Sequence, residues 1–154
     1  MFDYKIKFKN FFPNLLGFAG LTPFLYAVIS IILNFTNSNY LIEIAFIYGA
    51  LILSFIGAIY WGISLQTYFS SLDIKININF LFLWSIIPCI FGFIYFLIIS
   101  KNAKILIIIG FVICQFVDDF MYYYNIFPKW FLKLRRFLTL IVVTCLFYCY
   151  INIL

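Results

Sequence analysis

Apolar residues run along this chain in blocks of span length, and polar residues are confined to the gaps between them. The blocks are Leu15–Phe35, Tyr40–Leu65, Phe80–Ser100, Ile105–Phe120 and Phe137–Leu154. The gaps read NSN at 37–39, LQTYFSSLDIKININ at 65–79, KNAK at 101–104 and MYYYNIFPKWFLKLRR at 121–136. A helix rises about 1.5 Å per residue, so about 20 residues cross a hydrocarbon core of about 30 Å. Lipid offers the backbone no hydrogen-bond partners, which leaves helices and closed barrels as spanning structures. Barrel strands alternate apolar and polar positions, and these blocks do not. The pattern predicts an all-α fold, a polytopic membrane bundle of about five transmembrane helices forming a single domain over 1–154. The block at 105–120 is short for a span.

Composition agrees with the pattern. Only 10% of residues are charged while 67% are hydrophobic and 24% aromatic; a soluble domain carries about 25% charged residues to build its polar shell. Charge placement adds an orientation. With five spans, one side collects Lys5, Lys7, Lys9, Lys75, Lys129, Lys133, Arg135 and Arg136, against Lys101 and Lys104 on the other. The positive-inside rule then puts the N-terminus on the cytoplasmic or matrix side. The net charge of +5 follows from this asymmetry, and anionic lipid headgroups account for it without nucleic acid. The first ten residues lead into a span with no small-residue cleavage site, so no cleavable signal is expected.

Small residues mark the second block, in GALILSFIGAIYWG. Ala50, Ser54, Ala58 and Gly62 recur every four residues, and Ala45, Gly49 and Gly57 form a second row beside them. Helices associate in lipid through close backbone approach at such positions rather than by burial of apolar area. The second helix is therefore expected to be the hub of the bundle, its stripe facing neighbours such as Gly17 and Gly20 or, alternatively, a partner subunit. Tyr60 and Trp61, level with Trp84, Tyr122–Tyr124 and Trp130, read as an interfacial aromatic belt. Pro23 and Pro88 fall within spans and are expected to kink them.

Chemistry-bearing groups are few. The chain has no His, which excludes a zinc or haem site built on imidazole, and Cys89, Cys114, Cys145 and Cys149 form no CxxC. No metal site and no cofactor is expected. Glu43 reads as an interfacial carboxylate. Asp118 and Asp119 should meet Arg135 and Arg136 at one membrane face as a cluster of ion pairs. No Ser or Cys has a His base and no phosphate-binding glycine loop occurs.

The segments LGFAGLTPFL (16–25), YGALILSFIGAIYWG (48–62), WSIIPCI (84–90) and FPKWFLKLRRFLT (127–139) occur in one order along the chain. Together they resemble domain-of-unknown-function family 3429, the transmembrane-protein-69-like family, across nearly the whole chain. The resemblance implies a small multi-pass protein of a bacterial or mitochondrial inner membrane, without an assigned activity. It marks Tyr60, Trp61, Pro128, Trp130, Leu134, Arg135, Leu138 and Thr139 as motif positions. Where the family pattern is Gly-Gly-x-His-Trp-Gly this chain reads GAIYWG, with Tyr60 in place of His and Ala58 in place of Gly. A packing role survives that change; a role that needs imidazole does not.

These features favour a non-enzymatic accessory subunit or assembly factor of an energy-transducing, respiratory-type complex, with the lipid bilayer and other membrane subunits as partners. The alternative is a carrier or receptor for a small molecule or ion, using Glu43, Tyr60 and the two prolines. A lipid-acting enzyme built on Asp118 and Asp119 is the remaining class. Adjacent residues on a helix point about 100° apart, which works against convergence of that pair on one metal.

Overall fold

A computed structural model describes residues 11–70, 76–98 and 100–153. The described residues fold into six helices and no strand. They are α1 (Phe11–Ala19), α2 (Thr22–Ile32), α3 (Ser38–Ser70), α4 (Ile78–Ile98), α5 (Lys104–Tyr123) and α6 (Lys129–Ile151). Because α1 and α2 together make one span, five stretches are long and apolar enough to cross a membrane.

The first span is broken rather than kinked, and Pro23 explains how. It sits at the start of α2, where its missing N–H costs nothing. That N–H would otherwise have met the Ala19 carbonyl; the Thr22 hydroxyl donates to this oxygen instead, at 2.8 Å. Pro88, by contrast, lies inside α4, which runs through it.

Two asparagines make the turns. Asn34 and Asn125 both adopt left-handed backbone, with φ of 52° and 58°. After α2, the Phe35 and Asn34 amides bond Ser30 and Ile31 carbonyls; after α5, the Ile126 and Asn125 amides bond Met121 and Tyr122. Both ends are Schellman motifs, in which Asn tolerates the conformation that glycine usually supplies. Pro128 then caps α6, in extended conformation. The basic aromatic link therefore shrinks to residues 124–128, and α6 begins at Lys129 rather than at 137.

Helix α3 is the centre of the bundle, packing against α2, α4, α5 and α6. Its closest neighbour is α4. Gly57 lies so tightly under the Ser85 carbonyl that a side chain there would collide with it, and Gly92 of α4 sits over the backbone of Ala50. Ala45, Gly49, Ala50 and Gly57 are buried, Ser54 is half-buried, and Ala58 and Gly62 are exposed. The expected single stripe is thus split between the inside and the outside. A row spaced every four residues advances about 40° per step around a straight helix, so Gly62 stands about 120° from Ala50. Gly17 does not face this stripe; it receives Leu138 and Leu134 of α6.

Outward positions carry Leu51, Phe55, Leu83, Leu97, Phe116 and Leu140, all exposed. An outer surface of bare Leu and Phe matches lipid, not water.

Candidate functional site

Tyr60 leaves the interfacial belt expected for it. It is buried in the bundle, 1% exposed, and its hydroxyl donates to Asp118 Oδ1 at 2.5 Å. The second oxygen of Asp118 accepts from Arg135 Nε at 2.9 Å. Three helices, α3, α5 and α6, are thereby joined through one carboxylate that is itself 1% exposed. Trp84 and Phe127 close over the Tyr60 ring edge-on, at centroid distances of 6.4 and 5.6 Å. Trp61, next in sequence, points outward and meets Phe82 edge-on.

Asp119 and Arg136 form a separate, more exposed pair at 2.9 Å, with Gln115 also donating to Asp119 Oδ1. All four residues of the expected cluster are therefore brought together, but as two unequal pairs. Asp118 turns inward and Asp119 sideways, as their angular separation on α5 requires.

The other end of the bundle holds a second polar group. Glu43 accepts from Lys104 on one oxygen and from the Tyr95 hydroxyl on the other, the latter at 3.1 Å. The Lys104 ammonium also lies 5.8 Å from the Phe46 ring centroid, within cation–π range. Lys101 donates to the Ile153 carbonyl at 2.5 Å, tying the α4–α5 turn to the end of α6. Glu43 and Tyr60 are separated along α3 by about 25 Å, so the two polar groups bracket most of a hydrocarbon core of about 30 Å.

This arrangement fastens helices. Each of Glu43, Asp118 and Asp119 is committed to a cation on another helix. Among the described residues no cluster of His, Cys, Asp and Glu could hold a metal ion, and the four cysteines are free thiols. Sequence reasoning missed the Tyr60–Asp118 bond, whose partners lie 58 residues apart. It also gave no role to Leu134, Leu138 and Thr139. With Arg135 they recur at i, i+1, i+4 and i+5, a spacing that marks one face of a helix; that face of α6 lies toward α1 and α2. Pro128 caps this helix and Trp130 is half-buried in its first turn. Lys5, Lys7, Lys9 and Lys75 lie outside the described residues.

Five apolar spans, with charges paired across helices near both ends, define a multi-pass membrane protein built as a helix bundle. Residues 11–151 match the family described as protein of unknown function (DUF3429). The chain belongs to that family. It is also 32% identical over 142 residues to transmembrane protein 69 of Xenopus tropicalis, an alignment covering 89% of this chain and 53% of the relative. The chain thus spans about half the length of that curated relative. No solved structure matches it.

Proposed function

We propose that this protein is a non-enzymatic accessory subunit or assembly factor of an energy-transducing, respiratory-type complex in a mitochondrial or bacterial inner membrane. The observation that carries this reading is the uncovered half of the small-residue row. Ala58 and Gly62 lie on the outer surface of α3, and nothing among the described residues within 4 Å would meet a side chain at Gly62. Exposed Phe55 and Trp61 lie beside them. The inner half of the row is spent on α4 within the chain; the outer half offers the same close approach to a helix of another subunit. The inner-membrane setting comes from the family resemblance.

Support against catalysis comes from the committed charges. A carrier centred on Glu43 or Tyr60 would need one of them free, and both are held by partners on other helices. Extraction in mild detergent is expected to give stoichiometric co-migration with a respiratory complex on native gels. Gly62→Leu should abolish that co-migration while leaving the melting of the isolated chain within a few degrees of wild type. A wild-type chain that migrates alone, or a Gly62→Leu variant that keeps its companions, would sink the reading.

The same proposal places the N-terminus in the matrix or cytoplasm. Lys129, Lys133, Arg135 and Arg136 lie at that end of the bundle, with Lys101 and Lys104 at the other. In mitoplasts or spheroplasts, protease should remove a tag from the C-terminus and spare one on the N-terminus. The reverse pattern would invert the topology.

A further inference from the structure

Between the first span, α3 and α6 lies a cavity of about 360 Å³. Its walls are apolar, with Phe24, Ile56, Phe111 and Val142 among them, and exposed Leu16 and Phe55 stand at its rim, facing lipid. Two polar residues of α6, Arg135 and Thr139, also line it. Each keeps one atom out of water without a hydrogen-bond partner among the described residues: Arg135 Nη2 and Thr139 Oγ1. Thr139 is only 5% exposed. The other buried serine and threonine hydroxyls, on Ser30, Ser64, Thr67 and Ser85, all return to a backbone carbonyl of the preceding turn. Thr139 does not, although that route is open to any helical threonine. Buried donors are normally satisfied, and leaving one bare costs about 1–3 kcal/mol.

We propose that this cavity binds a neutral lipid with a carbonyl head group, of the prenylated quinone type, whose oxygen accepts from Arg135 Nη2 and Thr139 Oγ1. Three features select the class. A head with only acceptors complements two stranded donors. A neutral head is required because Asp118 already balances Arg135, so an anion would leave a net charge in an apolar site. Depth is the third: Arg135 and Thr139 lie six and ten residues beyond Lys129 at the start of α6, about 9 and 15 Å along the helix. A phospholipid would have to draw its charged head group below the interface to reach them. A quinone is dissolved in the hydrocarbon region already. The volume falls in the lower part of the range of about 300–1,000 Å³ typical of ligand pockets, room for a ring and the start of a chain, with the remaining tail in the bilayer. The inference does not rest on the partner face of α3.

The test is a titration of the full chain in maltoside micelles with a benzoquinone carrying a short prenyl tail, read by quenching of tryptophan fluorescence. Saturable one-to-one binding is expected. Thr139→Val should weaken it about five- to tenfold, the worth of one neutral hydrogen bond, and Thr139→Ser should restore it. The ligand-free Thr139→Val chain should melt no lower than wild type, because the change removes an unsatisfied hydroxyl; a hydroxyl with a purely structural role would give a lower melting point and unchanged affinity. Short-chain diacylglycerol and palmitate serve as competitors. Failure of both to displace the quinone assigns a quinone; displacement by diacylglycerol at comparable concentration keeps the carbonyl site and assigns an ester lipid. Stronger displacement by palmitate, quenching that never saturates, or equal affinity in Thr139→Val would overturn the proposal.

Discussion

Arg135→Met should destabilise the bundle by about 3–5 kcal/mol, the usual consequence of stripping one partner from a buried ion pair. Asp118 would keep the Tyr60 hydrogen bond but lose the cation on its second oxygen. Asp118→Asn should cost a similar amount, now by stranding the guanidinium. The double variant is expected to be more stable than either single one, since two neutral side chains need not find each other. Denaturant titration in micelles, run as a double-mutant cycle, measures all three. Near-additive losses, or a loss below about 1 kcal/mol for Arg135→Met, would mean that water or lipid head groups solvate the pair, as they do exposed salt bridges. The Asp119–Arg136 pair provides the internal comparison. It is far more exposed, and its removal should cost no more than about 1 kcal/mol.

Gly57→Ala carries the second large effect, and its sign is informative. Helix propensity alone would make alanine better than glycine by about 1 kcal/mol. The added methyl group, however, would run into the Ser85 carbonyl oxygen, and a backbone atom cannot rotate aside. Helix α4 would have to back away, loosening the Gly92–Ala50 approach below it. Overpacking of this kind costs about 1–3 kcal/mol. Gly62→Ala, on the same helix with no described residue within 4 Å of the added carbon, should be neutral or slightly stabilising. Equal melting points for the two variants would show that α3 and α4 are not held in the close approach described above.

Hydropathy located all five spans because the outer surface must match lipid along its whole length. It misplaced the start of α6 because Lys133, Arg135 and Arg136 count as polar wherever they fall. In the folded chain Arg135 is paired, and long basic side chains near a helix end can reach the interface. The break before Pro23 was half legible: proline announces a defect, but only the Thr22 hydroxyl on the Ala19 carbonyl shows that the helix restarts there. Tyr60 was misread for a different reason. The rule for aromatic belts is statistical and local, whereas its partner is a carboxylate two helices later in the chain. The ion-pair cluster was legible because both pairs flank one turn. Its inequality was not, since only packing decides which aspartate turns inward.

The Asn125 turn has a consequence for how the chain enters its membrane. Asp118 and Arg135 stand on either side of that turn, 17 residues apart. A nascent chain that had inserted α5 alone would hold an unmatched aspartate below the interface, against an insertion penalty of up to about 2.5–3.5 kcal/mol at the centre of a helix. Once α6 has emerged the charge is matched, and the turn has already set the two helices side by side. The last two spans are therefore the smallest piece of this protein that can cross from translocon to lipid with that charge neutralised, and they are suited to make the crossing as one hairpin.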